Sequence, residues 1–122
     1  MTEERIALGR FGEDLAKKRL RDLGYKILET NYKCPLGEID LIAREGEVLV
    51  FVEIKTRKNR SFGEVKEAVN RRKQGQLSKV ALAYLKSKNL WGSKARFDVV
   101  AIRLLDGRKE IEIIKDAFEL AY

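Results

Sequence analysis

The segment Gly37–Arg57, GEIDLIAREGEVLVFVEIKTR, decides the fold that we expect for this chain. It holds two strand-like runs, Glu38–Ala43 and Val48–Lys55, which are joined by a tight turn at Arg44–Glu47. The second run is apolar on both faces from Val48 to Val52, a pattern typical of a central strand covered on both sides. We therefore predict an antiparallel hairpin at the centre of a sheet.

The apolar pattern also predicts how these two strands pair. Two sets of residues each share one face of their strand: Ile39, Leu41 and Ala43 in the first, and Val48, Val50, Val52 and Ile54 in the second. Matching the sets places Ile39 opposite Val52. Asp40 then lies opposite Phe51, and a slip of one residue would turn every side chain to the wrong face. In this register Asp40 and Glu53 are diagonal neighbours, with Cα atoms roughly 7–8 Å apart.

Charged residues follow the buried run directly, and in this register Glu38, Asp40, Glu53 and Lys55 project from one face. Two acidic groups so close repel each other unless a cation or a proton lies between them. Mg²⁺, with oxygen ligands at about 2.1 Å, fits between two such carboxylates and keeps positions for water and phosphate oxygens. Lys55 could hydrogen-bond the attacking water, lower the pKa of that water or stabilise charge in the transition state. The alternative is a plain ion-pair cluster at a strand end.

Upstream of this segment, apolar residues at helical spacing predict a first helix from about Glu3 to Leu23, with Gly24 as its C-terminal cap. The apolar positions of this helix are Leu8, Phe11, Leu15, Ala16, Leu20 and Leu23. Tyr25 to Thr30 is a predicted strand, and a loop containing Cys34, Pro35 and Gly37 follows it.

Downstream, Asn70 is expected to cap a second helix that runs to about Lys88. Its apolar face would consist of Leu77, Val80, Ala81, Tyr84 and Leu85. Ala95–Leu104 and Glu110–Ile114 are predicted strands, joined by a turn at Asp106-Gly107. The expected fold is mixed α/β in the order α-β-β-β-α-β-β, with a mixed central sheet flanked by helices.

Composition excludes several classes of chemistry. The chain of 122 residues fits one domain, which we take as residues 1–122. A single cysteine rules out a disulfide within the chain, and the absence of histidine rules out the usual zinc sites and a Ser-His-Asp triad. Acid–base or metal chemistry must therefore rest on carboxylates, lysine and water.

Charge and hydropathy indicate the partner and the compartment. The 26 Lys and Arg residues exceed the 19 Asp and Glu residues, so the formal charge is +7. This excess serves either solubility alone or a polyanionic partner, and nucleic acid is the better candidate because no segment is a clearly basic membrane helix. The N-terminus, MTEERIALGR, is too charged for a secretory signal. We expect a soluble, cytoplasmic protein without a membrane partner.

Several segments together carry a resemblance to a known family. They are Gly9-Arg10-Phe11-Gly12-Glu13, Gly37-Glu38-Ile39-Asp40-Leu41-Ile42, Val52-Glu53-Ile54-Lys55-Thr56-Arg57 and Arg96-Phe97-Asp98-Val99-Val100. The Asp40…Glu53-x-Lys55 arrangement resembles the PD-(D/E)xK nuclease superfamily, although the proline of that name is missing before Asp40. From about Ile6 to Phe118 the chain resembles the YraN family of small bacterial proteins. These are described as predicted endonucleases similar to archaeal Holliday-junction resolvases, and the resemblance implies a restriction-endonuclease-like core.

The resemblance also implies roles for individual residues. Asp40 and Glu53 would be ligands of Mg²⁺ or Mn²⁺, the backbone carbonyl of Ile54 would be a further ligand, and Lys55 would be the catalytic lysine. Glu13, on the first helix, would be an additional acidic residue that points into the site.

The sequence itself gives a second reason to consider Glu13, because it borders the apolar stripe of its helix. Glycines at positions 9 and 12 would let that helix approach the sheet closely, at a cost of about 1 kcal/mol each in helix propensity. The alternative is a solvent-facing glutamate beside two tolerated glycines.

Basic residues around the cluster are candidates for substrate binding. Lys73 falls on the inward stripe of the second helix, where it could reach a phosphate near the metal with Gln76 close by, or simply extend to the rim. Arg57 is the first of several cations expected to neutralise flanking phosphates; the others are Lys58, Arg60, Arg71 and Arg72. Asp98 lies in an otherwise apolar strand, where it could either orient a residue of the site or cap a neighbouring loop.

The leading hypothesis is hydrolysis of a nucleic-acid phosphodiester by metal-activated water. Because the chain has no room for a separate recognition domain, structure-selective cleavage of DNA junctions or flaps is favoured over sequence recognition. A branched target would suit a two-fold homodimer. The alternatives are a non-catalytic nucleic-acid-binding module with the same fold, and a glycosidase that uses Asp40 and Glu53 as an acid–base pair. The adjacent lysine argues against the glycosidase.

Overall fold

The computed structural model describes residues 2–58 and 69–120. Within these ranges the elements are α1 (Glu3–Asp22), β1 (Lys26–Cys34), β2 (Gly37–Glu45), β3 (Val48–Arg57), α2 (Arg71–Ser87), β4 (Ala95–Leu105) and β5 (Arg108–Phe118). This order confirms the predicted α-β-β-β-α-β-β arrangement and the mixed α/β class. In the described ranges, no helix is both long and apolar enough to cross a membrane.

The five strands of the sheet lie side by side in chain order. Strands β3 and β4 are parallel, whereas every other neighbouring pair is antiparallel. A parallel connection needs a crossover, and α2 occurs in the chain between β3 and β4. The sheet is therefore mixed, as predicted.

Each face of the sheet is covered by one of the two described helices, so that there are two apolar cores. On one face Ala16 and Leu20 of α1 pack with Val50, Val52 and other residues of the sheet. On the other face the predicted stripe of α2 packs against the sheet; its members are Leu77, Val80, Ala81, Tyr84 and Leu85. Residues 49–53 of β3 are all buried, which confirms the prediction of a doubly covered central strand.

The predicted register of β2 and β3 is wrong by two residues. Val52 pairs with Leu41, not with Ile39, and Phe51 pairs with Ile42. The pairing of Glu45 with Val48 leaves only Gly46 and Glu47 in the turn, and Gly46 adopts a φ of +60°. A shift of two residues preserves the alternation of faces, so Val48, Val50, Val52 and Ile54 share one face of β3 as predicted.

Strand β2 departs from the expected pattern at its start. Leu41 and Ala43 join the core beneath α1, as predicted, but Ile39 packs in the core beneath α2. The pairing of β2 with β3 ends at Leu41, and before that residue β2 pairs with β1. The prediction that all three share one face is therefore wrong for Ile39, since β3 does not hold this part of β2 in register.

Strand β1 is longer than predicted, because the expected loop at residues 34–37 is a hairpin. Cys34 pairs with Gly37, which leaves Pro35 and Leu36 as a two-residue turn. The register of β1 shifts between Ile27 and Glu29, and Asn31 adopts a left-handed φ of 52°. Such irregularities interrupt the alternation from which strands are predicted. Strand β5 is also longer than predicted, since its charged ends conceal it in the sequence.

Helix α1 begins and ends as predicted, but its buried stripe is narrower. Thr2 caps its first turn, and Gly24, with a φ of +97°, follows its last residues. Buried residues recur every fourth position at Gly12, Ala16 and Leu20. Phe11 and Leu23, which we assigned to the apolar face, are exposed.

Candidate active site

Asp40 lies one residue beyond the end of the β2–β3 ladder, so the corrected register places it across from Glu53 and not diagonal to it. Its carboxylate Oδ2 accepts a hydrogen bond of 2.8 Å from the backbone N–H of Ile54. Because the N–H and C=O of one strand residue point to the same side of the strand, the Ile54 carbonyl also faces toward β2. The candidate ligand atoms of Asp40 and Ile54 therefore approach the same region from two strands.

The carboxyl group of Asp40 has an unusual electrostatic environment. Burial raises the pKa of Asp40 to about 7, and the close approach and negative charge of the neighbouring Glu53 carboxylate add to this shift. The Ile54 N–H and the ammonium of Lys73 act in the opposite direction and lower the pKa of Asp40. Asp40 is thus held beside Glu53 where its ionisation is unfavourable despite the Ile54 N–H and the Lys73 ammonium.

Glu53 is buried, with only 6% of its surface exposed. Within the described residues its Oε2 atom accepts no hydrogen bond. Lys73 Nζ lies 3.5 Å from this oxygen and Lys55 Nζ lies 3.8 Å from it, distances too long for good hydrogen bonds. A buried acceptor without a partner typically costs about 1–3 kcal/mol, and more when it is charged. Both lysines therefore form long ion pairs with this oxygen, and neither donates a good hydrogen bond to it.

These donors fit a hard divalent cation. Two carboxylates and a backbone carbonyl are the oxygen ligands that Mg²⁺ and Mn²⁺ accept, and soft ligands do not accompany them. Across residues 2–58 and 69–120, no group of three or more Cys, Asp or Glu side chains is arranged to hold a metal ion. The protein would supply only part of a coordination shell, and Mg²⁺ commonly completes such a shell with water and substrate oxygens. The unsatisfied Glu53 oxygen is the observation that supports this fit.

Gly12 determines how closely α1 approaches the site. A Cβ atom at this position would overlap the hydroxyl of Thr56 on β3. The predicted close approach is therefore confirmed at Gly12, but it is wrong for Gly9, where a Cβ would meet nothing within 4 Å. This contact brings the next residue, Glu13, to the end of β3.

Glu13 lines the same hollow as Asp40, which has a volume of about 980 Å³. Ile54, Lys55 and Arg57 also line this hollow. The carboxylate of Glu13 is engaged, however: the amide of Asn31 lies 3.2 and 3.4 Å from its two oxygens, and Lys17 Nζ lies 3.2 Å from Oε1. The structure thus places Glu13 at the hollow, in contact with Asn31 and Lys17.

Asn31 is a residue of this region that the sequence did not suggest. It lies on the edge strand β1, and its left-handed φ of 52° is a conformation that Asn tolerates better than most residues. Its amide reaches Glu13 across 18 residues of sequence. An Asn in a charged segment gives no signal of such a contact, because the contact depends on the packing of α1 against the sheet.

The other predicted substrate-binding residues are divided between the hollow and the surface. Lys73 points inward to Glu53, as expected, and 38% of its side chain is exposed at the rim. Arg57 lines the hollow and donates a hydrogen bond of 2.9 Å to the Thr56 carbonyl. Gln76 is exposed near Gly37, and it does not appear among the described residues that line the hollow.

The remaining predicted cations either are exposed or lie outside the residues that the structure describes. Lys58 pairs with Glu4 of α1. Arg71 and Arg72 are exposed in the first turn of α2. Arg60 lies outside the described residues.

A second buried acid, Asp98, belongs to a different cluster on the α1 face of the sheet. It accepts hydrogen bonds from the Tyr25 hydroxyl at 2.9 Å, from Arg96 Nε at 2.9 Å and from the Asp116 N–H at 3.0 Å. Arg96 also donates to Glu45 at 2.7 Å. Of the two roles considered for Asp98, these contacts support the structural one, because they join β2, β4, β5 and the residue that precedes β1.

Comparison with known proteins gives one consistent result. A family model described as Uncharacterised protein family UPF0102 matches residues 12–102. A UPF0102 protein of Syntrophus aciditrophicus is 49% identical over 98% of this chain and 94% of its own length. The UPF0102 protein of Geotalea daltonii is 53% identical over 94% of this chain and 91% of its own length. That of Moorella thermoacetica is 48% identical over 97% of this chain and its full length. The names of these relatives designate a family and state no activity.

Proposed function

This chain belongs to the UPF0102 family, as the resemblance to YraN proteins implied, and from that premise we propose that it is a Mg²⁺-dependent endonuclease. The proposed substrate is nucleic acid, and DNA with junctions or flaps in particular. Assignment to the PD-(D/E)xK superfamily is part of the same proposal, as is action in the cytoplasm. The main support is the buried Glu53 oxygen, which lies beside Asp40 and two ammonium groups and accepts no hydrogen bond from any residue that the structure describes.

The side chains divide into metal-binding and charge-stabilising groups. Asp40, Glu53 and the Ile54 carbonyl would hold Mg²⁺ or Mn²⁺, which supplies a Lewis acid and lowers the pKa of bound water. Lys55, at 3.8 Å from Glu53, would orient the nucleophile or stabilise charge on the phosphate in the transition state. Glu13 would bind the water shell of the ion from the α1 side of the hollow.

Substrate contacts are assigned to cations at the rim. Arg57 and Lys73 would bind the phosphates on either side of the reacting phosphate. Gln76 would contact the nucleic-acid strand near the start of β2. Such contacts give affinity that falls steeply with salt and carry little sequence information. This favours recognition of nucleic-acid shape, and a two-fold homodimer would match a branched substrate.

The experiment that tests the proposal is a cleavage panel with the full chain. Labelled junctions, flaps, linear duplexes and RNA are incubated with Mg²⁺, with Mn²⁺ and with EDTA. We expect cleavage of at least one branched DNA that requires a divalent ion. Asp40→Asn and Lys55→Ala should each reduce it by about 10³-fold or more, since each removes a group required in the transition state.

Matched controls separate catalysis from general charge effects. Asp14→Asn on α1 and Lys86→Ala on α2 each remove one charge from an exposed residue, and both should cleave like the wild-type chain. Binding of the preferred DNA should survive in the Asp40 and Lys55 variants. If the unaltered protein binds DNA but cuts nothing in any metal, the alternative of a non-catalytic nucleic-acid-binding module replaces the proposal.

A further inference from the structure

The Glu53 oxygen is approached by lysines from two different elements. Lys55 follows Glu53 on the same strand, whereas Lys73 extends from the first turn of α2. The two ammonium groups lie 3.8 and 3.5 Å from the same atom. The family resemblance gives a role to Lys55 and none to Lys73, although Lys73 lies closer to the buried oxygen.

The position of Lys73 is unfavourable unless an anion holds it there. The first turn of α2 contains Arg71, Arg72 and Lys73 and no acidic residue. The positive end of the helix dipole lies in this turn and repels cations. Of the three, Lys73 turns inward to the carboxylates, and its pairing with Glu53 offsets this repulsion.

The charges of the cluster balance without a metal. Asp40 and Glu53, when ionised, contribute two negative charges, and Lys55 and Lys73 contribute two positive ones. A divalent ion added to this cluster leaves an excess of two positive charges in a partly buried place, which is unfavourable. The excess falls if one ammonium moves away from the carboxylates and a phosphodiester anion enters. Lys73 is the one suited to move, because it is more exposed than Lys55, at 38% against 23% of the side chain.

We propose that Lys73 is an internal counter-ion that pairs with Glu53 in the metal-free protein, gives way to the divalent ion, and then binds the substrate phosphate. This inference rests on the proposed function and adds a coupling between metal and nucleic acid. Lys73 competes with the metal for Glu53, and once displaced it is available to the phosphate. Metal and DNA should therefore each raise the affinity for the other by the same factor.

The direct test is binding of Mn²⁺ to the full chain without nucleic acid, measured by calorimetry and by the electron paramagnetic resonance of free Mn²⁺. Lys73→Met should tighten Mn²⁺ binding about threefold to tenfold, as expected when a partly exposed competing charge is removed. Lys73→Arg keeps the charge and should stay within about twofold of the wild-type affinity. The matched control is Lys79→Met, an exposed lysine on the same helix, which should leave the affinity unchanged. Unchanged or weaker Mn²⁺ binding in Lys73→Met would overturn the inference.

A second measurement tests the coupling to DNA. Affinity for a branched DNA is measured in EDTA and in Ca²⁺, an ion that supports binding while cleavage is slow. In the wild-type chain Ca²⁺ should raise DNA affinity about tenfold or more, and in Lys73→Met most of that gain should disappear. Equal gains in the two proteins would also overturn the inference.

A third measurement does not depend on metal. In EDTA, the melting temperatures of Lys73→Met, Glu53→Gln and the double variant form a cycle. We expect Lys73→Met to lower the melting temperature only when Glu53 is present, and additive effects would contradict the pairing. Wild-type protein that binds no Mn²⁺ would reject the proposed function together with this inference. Wild-type protein that binds Mn²⁺ and cleaves DNA, with Lys73→Met unaltered in Mn²⁺ affinity, would reject the inference alone.

Discussion

Two clusters of acidic side chains, both within the residues that the structure describes, differ in how their hydrogen bonds are satisfied. Asp98 is completely buried and accepts hydrogen bonds from a tyrosine, an arginine and a backbone N–H. Glu53 is almost as deeply buried, but its Oε2 accepts none within the described residues. The same residue types thus form a closed network on the α1 face and an open one at the ends of β2 and β3.

The pKa shifts express the same difference. Lys115 and Arg96 lower the pKa of Glu45 in the closed network, because their hydrogen bonds favour its charged form. In the open cluster, burial and Glu53 raise the pKa of Asp40 to about 7. The closed network favours the ionised form of Glu45, whereas the open cluster disfavours the ionised form of Asp40. We infer that the closed network stabilises the fold, and that the open cluster lowers stability but allows binding.

The largest expected effect is the loss of Asp98. Asp98→Ala removes the acceptor of the Tyr25 hydroxyl, Arg96 Nε and the Asp116 N–H, and should lower the free energy of unfolding by about 3–5 kcal/mol. Urea denaturation monitored by circular dichroism measures this change. Asp14→Ala, at an exposed position on α1, should change the stability by less than about 0.5 kcal/mol. A loss as small as that control would mean that the closed network does not support the fold.

Loss of the Asp40 carboxylate should have the opposite effect on stability. Its folded pKa, about 7, lies above the value of 3.8 for an unperturbed Asp, so the folded chain binds this proton more tightly than the unfolded chain. Stability contributed by the protonated form is therefore lost as the pH rises from about 4 to about 7. Among the described residues, Glu53 of β3 and Lys73 of α2 are the charged groups that shift the pKa of Asp40. An Asn at position 40 can still accept a hydrogen bond from the Ile54 N–H.

Asp40→Asn should thus stabilise the metal-free protein at pH 8 by about 1–3 kcal/mol, and the gain should vanish near pH 4. Urea denaturation in EDTA at both pH values measures it, with Asp14→Asn as the control for the loss of one negative charge. Adding Mg²⁺ should stabilise the wild-type chain and not the variant. A variant less stable than wild type at pH 8 would show that Asp40 supports the fold as Asp98 does, and the contrast between the clusters would fail.

Helix α1 links the two regions, and its two glycines provide a matched pair of substitutions. Gly12→Ala inserts a methyl group against Thr56 and should cost about 1–3 kcal/mol. Gly9→Ala meets open space within the same helix and should stabilise the protein by about 0.5–1 kcal/mol. Differential scanning calorimetry compares the two variants.

The same pair tests whether the position of α1 matters for the site. Because Gly12→Ala moves Glu13 away from the hollow, cleavage should fall about tenfold or more, whereas Gly9→Ala should cleave normally. Thr56→Ala removes the hydroxyl that the new methyl group would meet. The double variant Gly12→Ala/Thr56→Ala should therefore recover part of the lost stability and part of the lost cleavage. Normal cleavage by Gly12→Ala would remove Glu13 from the proposed site.

The sequence predicted the parts of this structure that depend on local patterns. The apolar stripe of α2, its Asn70 cap and the buried run of β3 follow from periodicity and capping, which act within a few residues. The same alternation predicted a common face for Glu53 and Lys55, and Lys55 Nζ lies 3.8 Å from Glu53. The register was wrong by two residues, because alternation fixes only the parity and the two-residue turn at Gly46 and Glu47 decides the rest.

What the sequence could not predict depends on contacts between distant elements. The unsatisfied Glu53 oxygen arises from the joint positions of β2, β3 and α2. The exposure of Phe11 follows from the narrow contact of α1, and a helical pattern alone does not reveal it. The closed network draws Asp98 together with Tyr25, from which it is separated by 73 residues.

Asn31 is the position where we expect the smallest effect on stability. Its substitution therefore distinguishes most sharply between a role in cleavage and a role in the fold. Asn31 and Asn89 both adopt left-handed backbones, with φ values of 52° and 56°, which glycine adopts without strain. Asn31→Gly and Asn89→Gly should therefore each change the unfolding free energy by less than about 1 kcal/mol. Only the first removes the amide that holds Glu13, so only Asn31→Gly should reduce Mg²⁺-dependent cleavage, by about tenfold. Equal cleavage by the two variants would mean that Asn31 serves the backbone of β1 alone, and the open cluster would then end at β2, β3 and α2.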